Sequence, residues 1–471
     1  MMVMQPKQLG KKTPGCFFIL YQEADLPEIG FRVITEGETL EERSDIMKQS
    51  SLNSGKFQRK AIQVDEAQSR IAGHVKQGER EEVGLEQAHG RYLAMDLTAP
   101  HPYPRFRRSG MDGYAILGSD TEACSSGQEI WLRVVDEIPC GSVSDKRVET
   151  GLAARIMTGA QLPEGADTVV MLEATQLREE DGQTYVGLKK RVEIGKNVTQ
   201  IGHEIQEGQL LLSKGTCLGP GHISVLATFG VHRVPVYRKP RVAVFSTGSE
   251  LLAVDEPLQP GKIRNSNTYM LASQIREAGG EPFILQAIHD DLDLARASVR
   301  EAIAGYDIVV TSGGVSVGDY DIMGDLVRQE DVDMLFNKVT MRPGSVTTAA
   351  VIDGKLLFAL SGNPGACFVG CELFVRPTIQ MMLSSEQPYL PTLTVRLGAD
   401  YTKVNNFTRF VRSSFEIRDG QVYAIPARAD ESSVMVTIKD SDCLIVVPPT
   451  TEGLRAGEEV RVLVLQGGQI T

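Results

Sequence analysis

Apolar positions change period several times along the chain, and the changes divide it. Residues 1–55 carry a Lys-rich start, then "EGETLEERSD" and "KQSSLNSGKFQRK", with no sustained period. They predict a poorly ordered extension, with Met47 as a candidate natural start. In "AIQVDEAQSRIAGHV", Ile62, Ala67, Ile71 and Val75 recur at helical spacing, and Asp65 and Glu66 suit a first turn. Residues 91–199 break into short apolar runs cut by Gly and Pro, the pattern of a β-rich module. Turns and a short helix, "HISVLATFG", fill 200–240. From 241 to 385 strand and helix alternate: "RVAVFST", then "NSNTYMLASQIREAGG", "EPFILQAIHD", "DLDLARASVREAIAGYD", "DIVVTSGG", "VDMLFNKVTM", "KLLFALSG" and a helix from 365 that Pro377 kinks or restarts. Short strands return over 386–471. The predicted fold class is multidomain α/β plus β: a central, mostly parallel α/β domain between a β-rich N-terminal module and a C-terminal β-domain.

Composition narrows the function. With 471 residues, two to four domains are expected, and 42% hydrophobic content supports real cores. The net charge of -12 argues against a nucleic-acid surface. No apolar run is long enough to span a membrane. The seven cysteines include no CxxC pair, which fits a reducing cytoplasm; Cys367 and Cys371, four apart, read as packing thiols.

In a sheet of this kind the ligand crevice lies beyond the carboxyl ends of the strands. Four polar loops fall on that edge. "STGSEL" offers Thr247, Gly248 and Glu250; "TSGGVSVGDYD" offers Ser312 and the amides of Gly313 and Gly314, then Asp319 and Asp321. "MRPGS" supplies Arg342 and Ser345. "SGNPG" places Gly362, Asn363 and Pro364 where a helix begins, a seat for an anion. Carboxylates beside a phosphate repel it by a few kcal/mol at an effective dielectric of about 20. A hard divalent cation such as Mg²⁺ turns that repulsion into bridging, so the loops predict a metal-bound phosphate ester. There is no GxxxxGK[ST], no GxGxxG between strand and helix and no HExxH, which disfavours P-loop, dinucleotide and zinc-protease chemistry.

These residues resemble the molybdopterin molybdenumtransferases, the bacterial MoeA proteins and the related gephyrin E domain. The resemblance rests on "SGMDGYAI" (109–116), "RIMTGAQLPEGADTVVMLE" (155–173), "FSTGSEL" (245–251), "IRNSN" (263–267), "TSGGVSVGDYD", "MRPGS" and "LSGNPGA". It implies a cytoplasmic enzyme that inserts molybdate into adenylylated molybdopterin and releases AMP in a Mg²⁺-dependent step. It also implies a homodimer with the cleft between subunits and transient contact with a molybdopterin adenylyltransferase. Asp112 and Thr158 are then expected to reach from the β module into the partner's α/β site. Glu250 is expected beside the substrate and, with Asp321, at the cation. Arg342 suits a tetrahedral dianion, since its planar fork keeps its charge.

The chain departs from the family's pattern at several points. Arg342 and Ser345 stand where many members have two lysines, and Ser361 replaces a proline. The arginine-bearing strand matches "FTRFVR", making Arg412 the expected ligand-binding arginine with Arg409 as its competitor, and Ser433 matches a family serine. Two other readings stay open: a molybdopterin adenylyltransferase-type enzyme, disfavoured by the two flanking β domains, and a gephyrin-like scaffold without catalysis, disfavoured by the retained Asp112, Glu250 and Asp321.

Overall fold

The computed structural model describes residues 60–287, 292–314 and 332–468, together with the backbone of three N-terminal strands. Asp319 and Asp321 lie outside the described residues. The three strands, Met2–Met4, Cys16–Tyr21 and Gly30–Thr35, form an antiparallel sheet inside the segment expected to lack order. "CFFILY" is a dense run of β-formers, and it pairs on both sides.

The central unit is a six-stranded sheet. Its order runs Glu281–Ile284, Arg241–Ser246, Ile308–Ser312, Lys355–Leu360, Thr348–Ile352, Val332–Phe336. The first four strands are parallel, and Thr348–Ile352 runs antiparallel between its two neighbours. That fifth strand was missed in the periodicity, because "TAAV" is too small to stand out. The "DG" at 353–354 marks the hairpin: Asp353 and Gly354 both take positive φ, 51° and 72°. Two apolar layers cover the sheet. On one face Val242, Val244, Val310 and Phe358 pack with Leu271, Ile275 and Phe374; on the other Ala243, Phe245, Val309 and Leu357 pack with Val299 and Ile303.

The helix after Leu360 runs in three joined parts: Pro364–Gly370, a π-helical turn at Cys371–Val375, and Arg376–Met382. Pro377 restarts it. Proline has no N–H for the carbonyl four residues back, Leu373, and Gln68 from the helix Val64–Ala72 donates to that carbonyl at 2.9 Å instead. The wide turn also buries an ion pair, Arg376 Nε to Glu372 at 2.8 Å, with both side chains under 9% exposed. Gln274 donates to Glu372, and Arg376 reaches Gln466 near the chain's end.

The β-rich module is a six-stranded sheet ordered Thr168–Met171, Gly113–Ile116, Leu152–Ile156, Ile130–Ile138, Gln183–Leu188, Thr175–Glu180. Outgoing and returning chain pair in the linking region, Arg80–Gly84 with Arg233–Tyr237 and Leu97–Thr98 with Leu210–Leu212, around Leu93, Leu218 and Leu226. The C-terminal domain is a barrel. Thr408–Arg418, Gln421–Pro426, Thr392–Leu397, Glu459–Val464 and Cys443–Val447 pair in turn, and the last closes onto the first. Met341–Arg342 adds to its edge beside Thr408–Arg409, so the "MRPGS" loop joins the α/β unit to the barrel. Among the described residues no helix is long and apolar enough to cross a membrane.

Candidate active site

Three parallel strands bring three loops to one edge. Ser246, Ser312 and Leu360 stand in register at the carboxyl ends of their strands. Beyond them Thr247 N–H donates to Ser312 O at 3.0 Å, and Gly313 N–H to Leu360 O at 3.0 Å, so the pairing persists into the loops. Gly313 and Gly314 then turn through positive φ, 94° and 68°. A side chain at Gly313 would meet the Thr247 carbonyl at 2.6 Å, so only glycine fits. Gly362 packs directly against Gly313: a Cβ on it would lie 3.6 Å from the Gly313 Cα.

Two asparagines of "IRNSN" hold this edge. Asn265 Nδ2 donates to Ser246 Oγ at 2.8 Å, and Asn267 Nδ2 donates to Ser312 Oγ at 2.7 Å and to Gly362 O at 2.8 Å. The motif was legible, but its role was not. Glu250 is exposed, and its carboxylate folds back over Gly248, which has φ 145°. Among the described residues, the buried Thr247 Oγ1 has no hydrogen-bond partner.

The turn at 361–365 is joined to the barrel. Gly365 N–H donates to Ser432 O at 2.8 Å, and Asn363 Nδ2 to Ser432 Oγ at 3.3 Å. Ser432 therefore ties the turn to the barrel, and the Ser433 side chain beside it is exposed. Arg412 is fully buried. Its Nη2 donates to the carbonyls of Ala429 and Glu431 and to Thr437 Oγ1, at 3.2 to 3.4 Å, and its Nη1 packs against Gly365 with no hydrogen-bond partner among the described residues. Burial pushes the Arg412 guanidinium down from its usual value. Arg409, its competitor, is bound to Asp430 at 3.2 Å and Tyr401 at 3.0 Å. Arg342 is exposed, with its guanidinium 5.3 Å from the centre of the Phe407 ring. Ser345 is half-buried, and its carbonyl accepts from Val339 N–H at 2.8 Å.

Asp112 and Thr158 meet, but in the β-rich module. Asp112 Oδ1 accepts from Thr158 N–H at 2.6 Å and from Thr158 Oγ1 at 2.8 Å. The backbone bond and then the hydroxyl bond hold the Asp112 carboxyl below the usual aspartate range. Both residues are exposed, and among the described residues their hydrogen bonds stay inside the module. Arg155 braces the pair by donating to Gly113 O at 3.1 Å and Ile156 O at 2.7 Å. Cys140 donates from its thiol to Thr158 O at 2.9 Å, a contact that nothing in the spacing signalled. Exposed Met111 and Met157 directly precede the two residues, and exposed Met171 pairs with Gly113 beside them.

Among the described residues no three His, Cys, Asp or Glu side chains gather as a metal site. The donors at the cleft edge are oxygens, Glu250 and the unpartnered Thr247 hydroxyl, and these suit a hard cation such as Mg²⁺ in kind.

The α/β crevice walled by glycine turns and joined to a β-barrel belongs to a class of protein that comparison with known proteins identifies. Residues 62–230 match the MoeA N-terminal region (domain I and II), 243–381 a probable molybdopterin binding domain, and 394–465 the MoeA C-terminal region (domain IV). The chain is 47% identical over 408 residues to the molybdopterin molybdenumtransferase of Bacillus subtilis, covering 87% of this chain and 95% of that one. It is 41% identical to the Staphylococcus aureus (strain COL) molybdopterin molybdenumtransferase, with 87% and 96% covered. A crystal structure of a molybdopterin biosynthesis MoeA protein from Pyrococcus horikosii superposes with a TM-score of 0.74 at 30% identity, over 86% of this chain and 99% of that one. The chain belongs to the MoeA family of molybdopterin molybdenumtransferases, transferase enzymes of molybdenum cofactor biosynthesis.

Proposed function

We propose that the chain transfers molybdenum from molybdate to adenylylated molybdopterin at the cleft edge and releases AMP. The observation that carries this reading is the convergence of the 247–250, 313–314 and 361–365 turns at the carboxyl ends of three parallel strands. Backbone amides and fixed hydroxyls there orient an anionic ester without a covalent nucleophile. Glu250, with Asp321, would hold the divalent cation, which would supply charge neutralisation at the phosphate. Thr247 offers its unpartnered hydroxyl to the substrate, while Gly248, Gly362, Asn363 and Pro364 shape the phosphate wall. Arg342 and Ser345 receive molybdate with Ser433 on the barrel side, while the fully buried Arg412 backs the 361–365 turn through Gly365.

Asp112 and Thr158 complete the cleft of a partner subunit in a homodimer. Support comes from the exposed methionines around the pair: apolar side chains at 36% to 44% exposure are suited to being covered. Adenylylated substrate arrives by transient contact with a molybdopterin adenylyltransferase, and the enzyme works in the cytoplasm. The test is AMP release by purified protein. Release that needs both molybdate and Mg²⁺ is expected, and Asp321→Asn should abolish it while leaving the circular dichroism spectrum intact. Release indifferent to either component, or full activity in Asp321→Asn, would overturn the metal-bridged reading.

A further inference from the structure

Ser312 sits at the last paired position of its strand and is 2% exposed, directly before the Gly313–Gly314 turn. Its hydroxyl oxygen accepts from Asn267 Nδ2 at 2.7 Å and lies 3.7 Å from the Cys367 thiol. The orientation of the Asn267 amide is fixed independently. Its other bond, at 2.8 Å, goes to Gly362 O, a carbonyl that only accepts, so the nitrogen must face both partners. Burial pushes the Cys367 thiol up to about 12, so it stays protonated, and at 3.7 Å it is a weak partner for the hydroxyl. A hydroxyl has one proton and two lone pairs. With the Asn267 donor on its oxygen, Ser312 keeps its own proton for a stronger acceptor.

We propose that Asn267 is a positioning residue of the reaction: one side-chain amide locks the serine–glycine turn to the 361–365 turn and presents the Ser312 hydroxyl as a donor to the anionic substrate. The inference rests on the placement of the substrate at this edge given above. The bridge joins residues 45 and 95 positions apart, and both of its targets stand at the mouths of adjacent parallel strands. The Gly313 N–H bond to Leu360 O sets the strand pairing up to the turns, and the Asn267 bridge adds the tie to Gly362 beyond it. Asn267 begins the helix Asn267–Glu277, whose buried Leu271 and Ile275 anchor it in the core, so the clamp is held by a rigid element.

The test uses the full-length enzyme with adenylylated molybdopterin, molybdate and Mg²⁺. Asn267→Ala is expected to lower kcat about tenfold with a smaller change in KM, since the lost interaction orients rather than binds. The double variant Asn267→Ala with Ser312→Ala should be no slower than the worse single variant, because both changes remove the same oriented donor. Asn267→Asp keeps the shape but loses both donors, and should be as slow as Asn267→Ala. Additive losses, or an unfolding midpoint that falls in proportion to kcat, would mean that Asn267 only supports the fold and would overturn the inference. So would wild-type kinetics in Asn267→Ala. An inactive wild type would instead sink the reading of the site, and the inference with it.

Discussion

Thr158 gives Asp112 two hydrogen bonds on one oxygen, and the carboxylate stays ionised below the usual aspartate range as a result. The sign follows from linkage: a depressed carboxyl contributes its tie above its unfolded value and loses it as pH falls through the folded one. Thr158→Val removes the hydroxyl donor and leaves the backbone N–H. The Asp112 carboxyl should therefore rise toward 3.8 without reaching it, as read by a carbon-detected NMR titration. No rise would mean that the hydroxyl bond does not form in solution. The resemblance to MoeA proteins found both residues, yet the geometry adds what no motif carries. Arg155 and Cys140 brace the Asp112–Thr158 pair, and Ser432 rather than Ser433 bonds the 361–365 turn. Such partners escape a sequence reading because they act through backbone carbonyls and amides, which place almost no demand on residue type beyond reach.

Alternating strand and helix was legible from 241 to 360 because buried parallel strands are continuous apolar runs and the covering helices carry a 3.6 period. Thr348–Ile352 was not legible from its small side chains, although its "DG" turn was in plain view. The helix from 364 shows the other limit. Pro377 marks a restart, but the π-helical turn before it depends on a carbonyl satisfied by Gln68, 305 positions away. The same turn buries Glu372 and Arg376 as a pair. Removing one partner leaves an uncompensated charge in the core, which typically costs about 3–5 kcal/mol. Arg376→Leu should lower stability by that amount in urea unfolding, whereas the double change Arg376→Leu with Glu372→Leu should restore much of it. Equal losses in the two variants would place the energy in packing rather than in charge.

At the scale of the whole molecule, the chain leaves the linking region for the β module and returns to it. The linking strands 80–84 and 233–237 pair across the inserted β module, and Met341–Arg342 extends the C-terminal barrel. The order of domains could be read in the sequence because each changes its apolar period. Closure of the barrel, and the junction that places Arg342 beside Arg409, could not, since both depend on register between distant strands. In the proposed homodimer, one cleft draws Asp112 from one subunit and Glu250 from another. Mixing two inactive variants, Asp112→Asn and Glu250→Gln, after dissociation and reassociation tests it most directly. In a mixed dimer with shared clefts, one cleft keeps both carboxylates and the other loses both. AMP release should return to about a quarter of the wild-type rate in an equal, random mixture. If the mixture stays as inactive as its components, each cleft takes both carboxylates from a single chain, and the account is wrong.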